Sequence, residues 1–203
     1  MIDDLIHRYP ALAPCRPAIA DAAKLLTDCY RRGGKVLVCG NGGSAADAEH
    51  ICGELLKRFR RARPLPEAVA NRLPHRLAVQ LEGALPAISL VSMSGILTAF
   101  ANDVGWETAF AQLVLALARP GDVLIALSTS GNSANCVAAA ETMRAVGGRV
   151  LALTGEAESK LSAVADVAIR VPASETYLVQ ELHLPIYHCL CAFVEKELFP
   201  WAS

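Results

Sequence analysis

Five short, nearly unbroken apolar runs punctuate the chain: KVLVC at 35–39, PAISLV at 86–91, DVLIALS at 122–128, RVLALTG at 149–155 and DVAIRVP at 166–172. Short runs of this kind, rich in Val, Ile and Leu and lacking polar alternation, predict strands buried on both faces. Between them the apolar positions recur at helical spacing. Leu25, Leu26, Cys29 and Tyr30 do so within a helical segment over 1–32, which Gly33-Gly34 ends. Further helices are predicted over 45–59, near 95–101, from about 106 to 118, over 134–146 before Gly147-Gly148, over 158–165 and over 176–198. Strands alternating with helices imply an α/β fold. The expected form is a doubly wound, five-stranded parallel sheet flanked by helices, a Rossmann-like three-layer sandwich. Residues 61–85 fit this pattern least. Prolines break them up, and they predict an excursion with a short helix around 66–72 or 75–83.

Composition narrows the picture. The 203 residues are expected to form one domain, 53% hydrophobic but only 5% aromatic, so its core is mostly Ala, Val, Leu and Ile. A formal net charge of −1 argues against a general nucleic-acid binder. Seven scattered cysteines with no C-x-x-C pair read as reduced core thiols of a cytoplasmic protein. The opening MIDDLIHRYPAL lacks the charge-then-apolar pattern of a signal peptide, and no apolar run is long enough for a membrane span.

Chemistry gathers at the carboxyl ends of the predicted strands. After the third strand, STSGNS (128–133) offers Ser128, Thr129, Ser130 and Ser133 with Gly131 at a helix start, a cradle for a phosphate. A helix cap needs only one hydroxyl. After the first strand, CGNGGSAADAEHICGE (39–54) turns through glycines into a helix carrying His50 and Glu54 at i and i+4, one face able to chelate a divalent ion. No G-x-x-x-x-G-K-[ST] is present, and a dinucleotide fingerprint is weak, so the phosphate belongs to a small metabolite. The closing segment ETYLVQELHLPIYHCLC brings Gln180, His183 and His188 into an apolar helix. Gln180 and His188 stand about 12 Å apart along an ideal helix, unless Pro185 kinks it or they meet partners from different subunits. In KRFRRAR (57–63), a solvated helix end by default, Arg58 follows Glu54 by one turn and can face the same site. FANDVG (100–105) sets Asn102 and Asp103 before a helix, as caps or as substrate contacts.

With these residues in view, the chain resembles the sugar isomerase (SIS) domain family, and within it the phosphoheptose isomerases. Four matches carry the resemblance over nearly all of the chain outside 61–85: CGNGGSAADAEHICGEL, FANDVG, STSGNS and VQELHLPIYH. It implies a cytoplasmic homotetramer with active sites at subunit interfaces, acting on a phosphorylated seven-carbon sugar. Asn41, Gly42, Gly43, Ser44, Glu54, Arg58, Asn102, Asp103 and Gln180 would then line the sugar, with Ser128, Thr129, Ser130 and Ser133 on its phosphate. His50, Glu54, Gln180 and His188 would hold one zinc or other divalent ion per subunit, and Glu54 and His188 would transfer protons between the carbons of sedoheptulose 7-phosphate. The chain departs from the family in the length of its 61–85 excursion and in Tyr177. A competing expectation is a non-catalytic member of the fold, a scaffold for the bacterial replication initiator or a sugar-phosphate sensor. The scaffold branch lacks an acid at the position of Glu54 and a His at that of His188. Both are present here.

Overall fold

The strands assemble in the order β2-β1-β3-β4-β5, all parallel, in a computed structural model that describes residues 1–199. They are β1 (Val36–Cys39), β2 (Ala87–Ser89), β3 (Val123–Leu127), β4 (Arg149–Thr154) and β5 (Val167–Arg170). Register is regular across the centre, with Leu37 beside Leu124 and Leu124 beside Val150. Side chains alternate between two cores. Val36, Val38, Val123, Ile125, Leu127, Leu151 and Leu153 face one; Leu37, Cys39, Leu124, Ala126, Val150 and Ala152 face the other. Every residue of β1 and β3 is buried, which is why these strands show no polar alternation.

The first core is roofed by α1 (Ile2–Arg8), α2 (Arg16–Arg31), α3 (Gly43–Leu56) and α10 (Thr176–Leu198). α3 shows the reason for its placement: Ala48, Ile51, Cys52 and Leu55 make one apolar stripe against the sheet, leaving His50 and Glu54 on another side. The second core is covered by α6 (Ser94–Asp103), α7 (Ala109–Leu117), α8 (Ala134–Ala145) and α9 (Lys160–Val164). α9 opens with a capping box between Ser159 and Ser162. All seven cysteines are buried and free, and among the described residues no helix is long and apolar enough to cross a membrane.

Several expected boundaries move, each for a local reason. The helix expected over 1–32 is broken: Tyr9 leaves helical geometry before Pro10, and a 3-10 segment over Pro10–Cys15 precedes α2. The strand expected over 86–91 pairs only over Ala87–Ser89 before a 3-10 turn over Leu90–Ser92. α3 stops at Leu56 rather than 59, because Arg63 donates to the carbonyls of Glu54 and Leu55 and so satisfies its last turn. The 61–85 excursion holds two single-turn helices, α4 (Glu67–Ala70) and α5 (His75–Ala78), each started by a proline at its N-cap. Its ends meet where the Gly83 N–H donates to the Arg63 carbonyl at 2.7 Å.

Candidate active site

In this strand order the chain leaves neighbouring β1 and β3 toward opposite faces, α3 on one and α8 on the other. Such a divergence opens a crevice beyond the strand ends. Asn41 and Asn135 join its two lips through reciprocal amide bonds of 2.9 and 2.8 Å. Gly42 is the N-cap of α3 with φ +58°, and the buried Ser44 donates its N–H to the Asn41 carbonyl. Gly43 has no room for a side chain: an added Cβ would stand 2.6 Å from the Gln180 amide.

The other lip is the hydroxyl run. Ser133 is the N-cap of α8, yet its hydroxyl makes no bond to its own helix; it lies 2.9 Å from the hydroxyl of the buried Ser128. Ser130 accepts from the Asn132 N–H at 3.1 Å, and Thr129 takes the Gly155 N–H on its carbonyl. Gly131, at φ +65°, is required twice over, since a Cβ there would collide with Ser159 Oγ. The run is therefore not an ordinary cap. It is a curl of neutral donors at a helix N-terminus, the arrangement that favours an anion.

Farther along α3, His50 and Glu54 meet His188 of α10. His50 Nε2 lies 3.3 Å from Glu54 Oε1 and 3.4 Å from His188 Nε2, and one ligand atom from each of the three residues falls within 4.8 Å of the others. Tetrahedral ligands at metal distances near 2.0–2.1 Å stand about 3.3 Å apart. The N, O, N donor set and its spacing thus fit a divalent ion such as zinc. Burial, reinforced by repulsion from His50, holds the His188 pKa below its ordinary value and favours the neutral ring that a proton acceptor or ligand needs. Lys57 Nζ stands 3.4 Å from Glu54 Oε2. Phe59 packs on the His188 ring at 5.5 Å.

The structure does not bring every predicted residue here. α10 runs through Pro185 as one helix, so Gln180 remains about 12 Å from His188 and packs on Gly43 at the crevice instead. Asn102 and Asp103 close α6 and do not cap the helical segment that begins at Trp106; both are exposed, and the Asn102 amide donates to Asp103. Arg58 points to Glu82 of the excursion, 3.5 Å from its carboxylate. His183 is a core residue, fully buried with Nε2 3.3 Å from the Thr154 carbonyl. Tyr187, which touches His50, and Asp47, which accepts from Tyr187, escaped the sequence reading; the three-residue spacing of Asp47 and His50 on one helix was the available signal.

The SIS domain family model matches residues 11–155. A phosphoheptose isomerase of Rhodospirillum rubrum is 44% identical over 187 residues, covering 92% of this chain and 89% of its own. The chain belongs to the SIS-domain family, in its phosphoheptose isomerase branch. The phosphoheptose isomerase of Akkermansia muciniphila is 39% identical over 96% of this chain and 93% of its own. Two solved structures agree. The phosphoheptose isomerase of Francisella tularensis matches with a TM-score of 0.76 at 36% identity, over 89% of this chain and 86% of that one. That of Neisseria gonorrhoeae matches with a TM-score of 0.78 at 33% identity, over 96% and 94%.

Proposed function

We propose that this protein is a cytoplasmic aldose–ketose isomerase of sugar phosphates, converting sedoheptulose 7-phosphate to D-glycero-D-manno-heptose 7-phosphate. The observation that carries the reading is the joint presence of an anion cradle at the sheet edge and a convergent His50–Glu54–His188 cluster on the adjoining helices. A scaffold or sensor needs no such cluster. Relatives named phosphoheptose isomerases at about 40% identity over most of the chain support the same conclusion.

In this reading Ser128, Thr129, Ser130 and Ser133 bind the phosphate, and Asn41, Gly42, Gly43 and Ser44 line the sugar. Asn102, Asp103 and Arg58 contribute from the rim. Glu54 and His188 move the protons: one removes the proton beside the carbonyl to give an enediol, and the other returns a proton to the neighbouring carbon. His50, Glu54 and His188 hold a divalent ion, zinc by their chemistry, with Gln180 as the fourth ligand. Bound there, the ion supplies Lewis-acid polarisation of the substrate oxygens. Gln180 and the cluster lie too far apart on one α10 to share an ion. The reading therefore assigns the ligands of one ion to two single-domain subunits, with active sites at the interfaces of the homotetramer that the family resemblance implies. Exposed Tyr177, Leu178 and Leu184 on α10 supply apolar surface for such contacts.

The test is incubation with sedoheptulose 7-phosphate, zinc-loaded and chelated, followed by NMR of the products. Metal-dependent formation of the aldoheptose phosphate, reduced about 100- to 10,000-fold in Glu54→Gln, is the expected result. A folded, zinc-bearing protein that leaves this ketose unchanged would overturn the assignment.

A further inference from the structure

His50 is engaged through both ring nitrogens. Nε2 faces Glu54 and His188, while Nδ1 lies 3.0 Å from the Tyr187 hydroxyl. That hydroxyl donates to Asp47 Oδ1 at 3.1 Å. A phenol has one proton to give, and an ionised carboxylate has none. With the phenolic proton on Asp47, the contact between Tyr187 and His50 is a hydrogen bond only if the imidazole is the donor. Nδ1 then carries the ring proton and the neutral ring turns a bare Nε2 toward the cluster; the competing Nε2–H form would donate to Glu54 Oε1 at 3.3 Å and leave the shorter 3.0 Å contact with Tyr187 without a proton.

We propose that Asp47 and Tyr187 form a relay that fixes His50 as its Nδ1–H tautomer and so aims the Nε2 lone pair at Glu54 and His188. Both act as positioning residues. The relay is built into the packing: Tyr187 is 2% exposed within the core between α3 and α10. Asp47 is one turn before His50, and its second oxygen, Oδ2, is buried without a partner. The tautomer also bears on ligation. An imidazole ligates through an unprotonated nitrogen, and hydrogen bonding at the other nitrogen sets which one that is. The purpose of the relay rests on the metal-site reading above; the tautomer itself does not.

The experiment is long-range proton–nitrogen NMR of histidine-labelled, metal-free protein at mildly alkaline pH, with His50 assigned by its loss in His50→Gln. Wild-type His50 is expected to show a protonated Nδ1 and a bare Nε2. Tyr187→Phe keeps the ring in the core and removes the acceptor of the Nδ1 proton, so Nε2–H, which can donate to Glu54, becomes populated. Asp47→Ala frees the phenol to donate to Nδ1 and inverts the tautomer. Zinc, measured by chelator competition, is expected to bind Tyr187→Phe about 10- to 100-fold more weakly. A wild-type ring protonated on Nε2, or variants whose tautomer is unchanged, would overturn the proposal. So would a shifted tautomer with unchanged zinc affinity. Absence of zinc binding to the wild type would refute the metal site and leave an observed relay standing.

Discussion

Two charged clusters join α3 to α10, and they differ in what their polar atoms are left to do. Arg63 and Glu195 are fully buried, 2.8 Å apart, and saturated by their surroundings. Glu195 accepts from the backbone N–H groups of Phe59, Arg60 and Arg61, and Arg63 donates its other nitrogens to the carbonyls of Glu54 and Leu55. His50, Glu54 and His188 instead converge at an open surface, with ring nitrogens and a carboxylate aimed at one another. A buried ion pair repays its desolvation only when its remaining donors and acceptors are also satisfied. The first cluster meets that condition and pins a loop. The second leaves lone pairs converging on one point, and chemistry needs such a point. The two are coupled: the pinned loop carries Phe59 against His188, and Arg63 holds the backbone of the residue whose side chain is Glu54.

The contrast predicts opposite mutational signatures. Arg63→Met strands the Glu195 carboxylate and should cost about 3–5 kcal/mol in urea unfolding. Glu54→Gln, expected to cut turnover about 100- to 10,000-fold, should cost under about 1 kcal/mol in the same assay. Similar losses for both would erase the distinction.

His183 sharpens the buried side of the comparison, because it is enclosed but only half satisfied, with Nδ1 unpartnered. Burial lowers its pKa from 6.5 to about 4. Below pH 6.5 the unfolded chain therefore takes up a proton that the native state refuses. Stability falls as pH drops from 6.5 toward 4 and levels off below, by about 3 kcal/mol in all. Urea midpoints at neutral pH and at about pH 4.5 should show a smaller drop in His183→Gln than in wild type.

On the open side, Ser130→Ala should raise the KM for sugar phosphate about 10-fold or more, the worth of one hydrogen bond to a charged group, with little change in kcat. An unchanged KM would remove Ser130 from the phosphate cradle.

The layered fold was legible because it depends on local pattern: buried strands are short apolar runs, and glycines and prolines mark their ends. The hydroxyl cradle and the His50–Glu54 pair were legible for the same reason, each lying within one turn or one helix face. What failed to show depends on partners remote in sequence. Tyr187 reads as one more apolar helix position until α10 packs on α3. Arg63, held by Glu195 of α10, ends α3 early in a way no local spacing announces. Asn102 and Asp103 looked like a cap because a helical segment follows them; its N-cap is Gly105 instead.

The excursion between Arg63 and Gly83 has a consequence for how this lineage can vary. Its two ends are hydrogen-bonded to each other, and Leu85 is tied back to the Leu55 carbonyl before the chain enters β2. The sheet thus receives the chain at the same place however much is threaded between those ends, and closing a longer loop costs only slowly increasing entropy. Length and composition can drift there, through insertion or deletion, while the catalytic scaffold stays under separate selection. The same property makes it a natural graft point for a tag or a reporter.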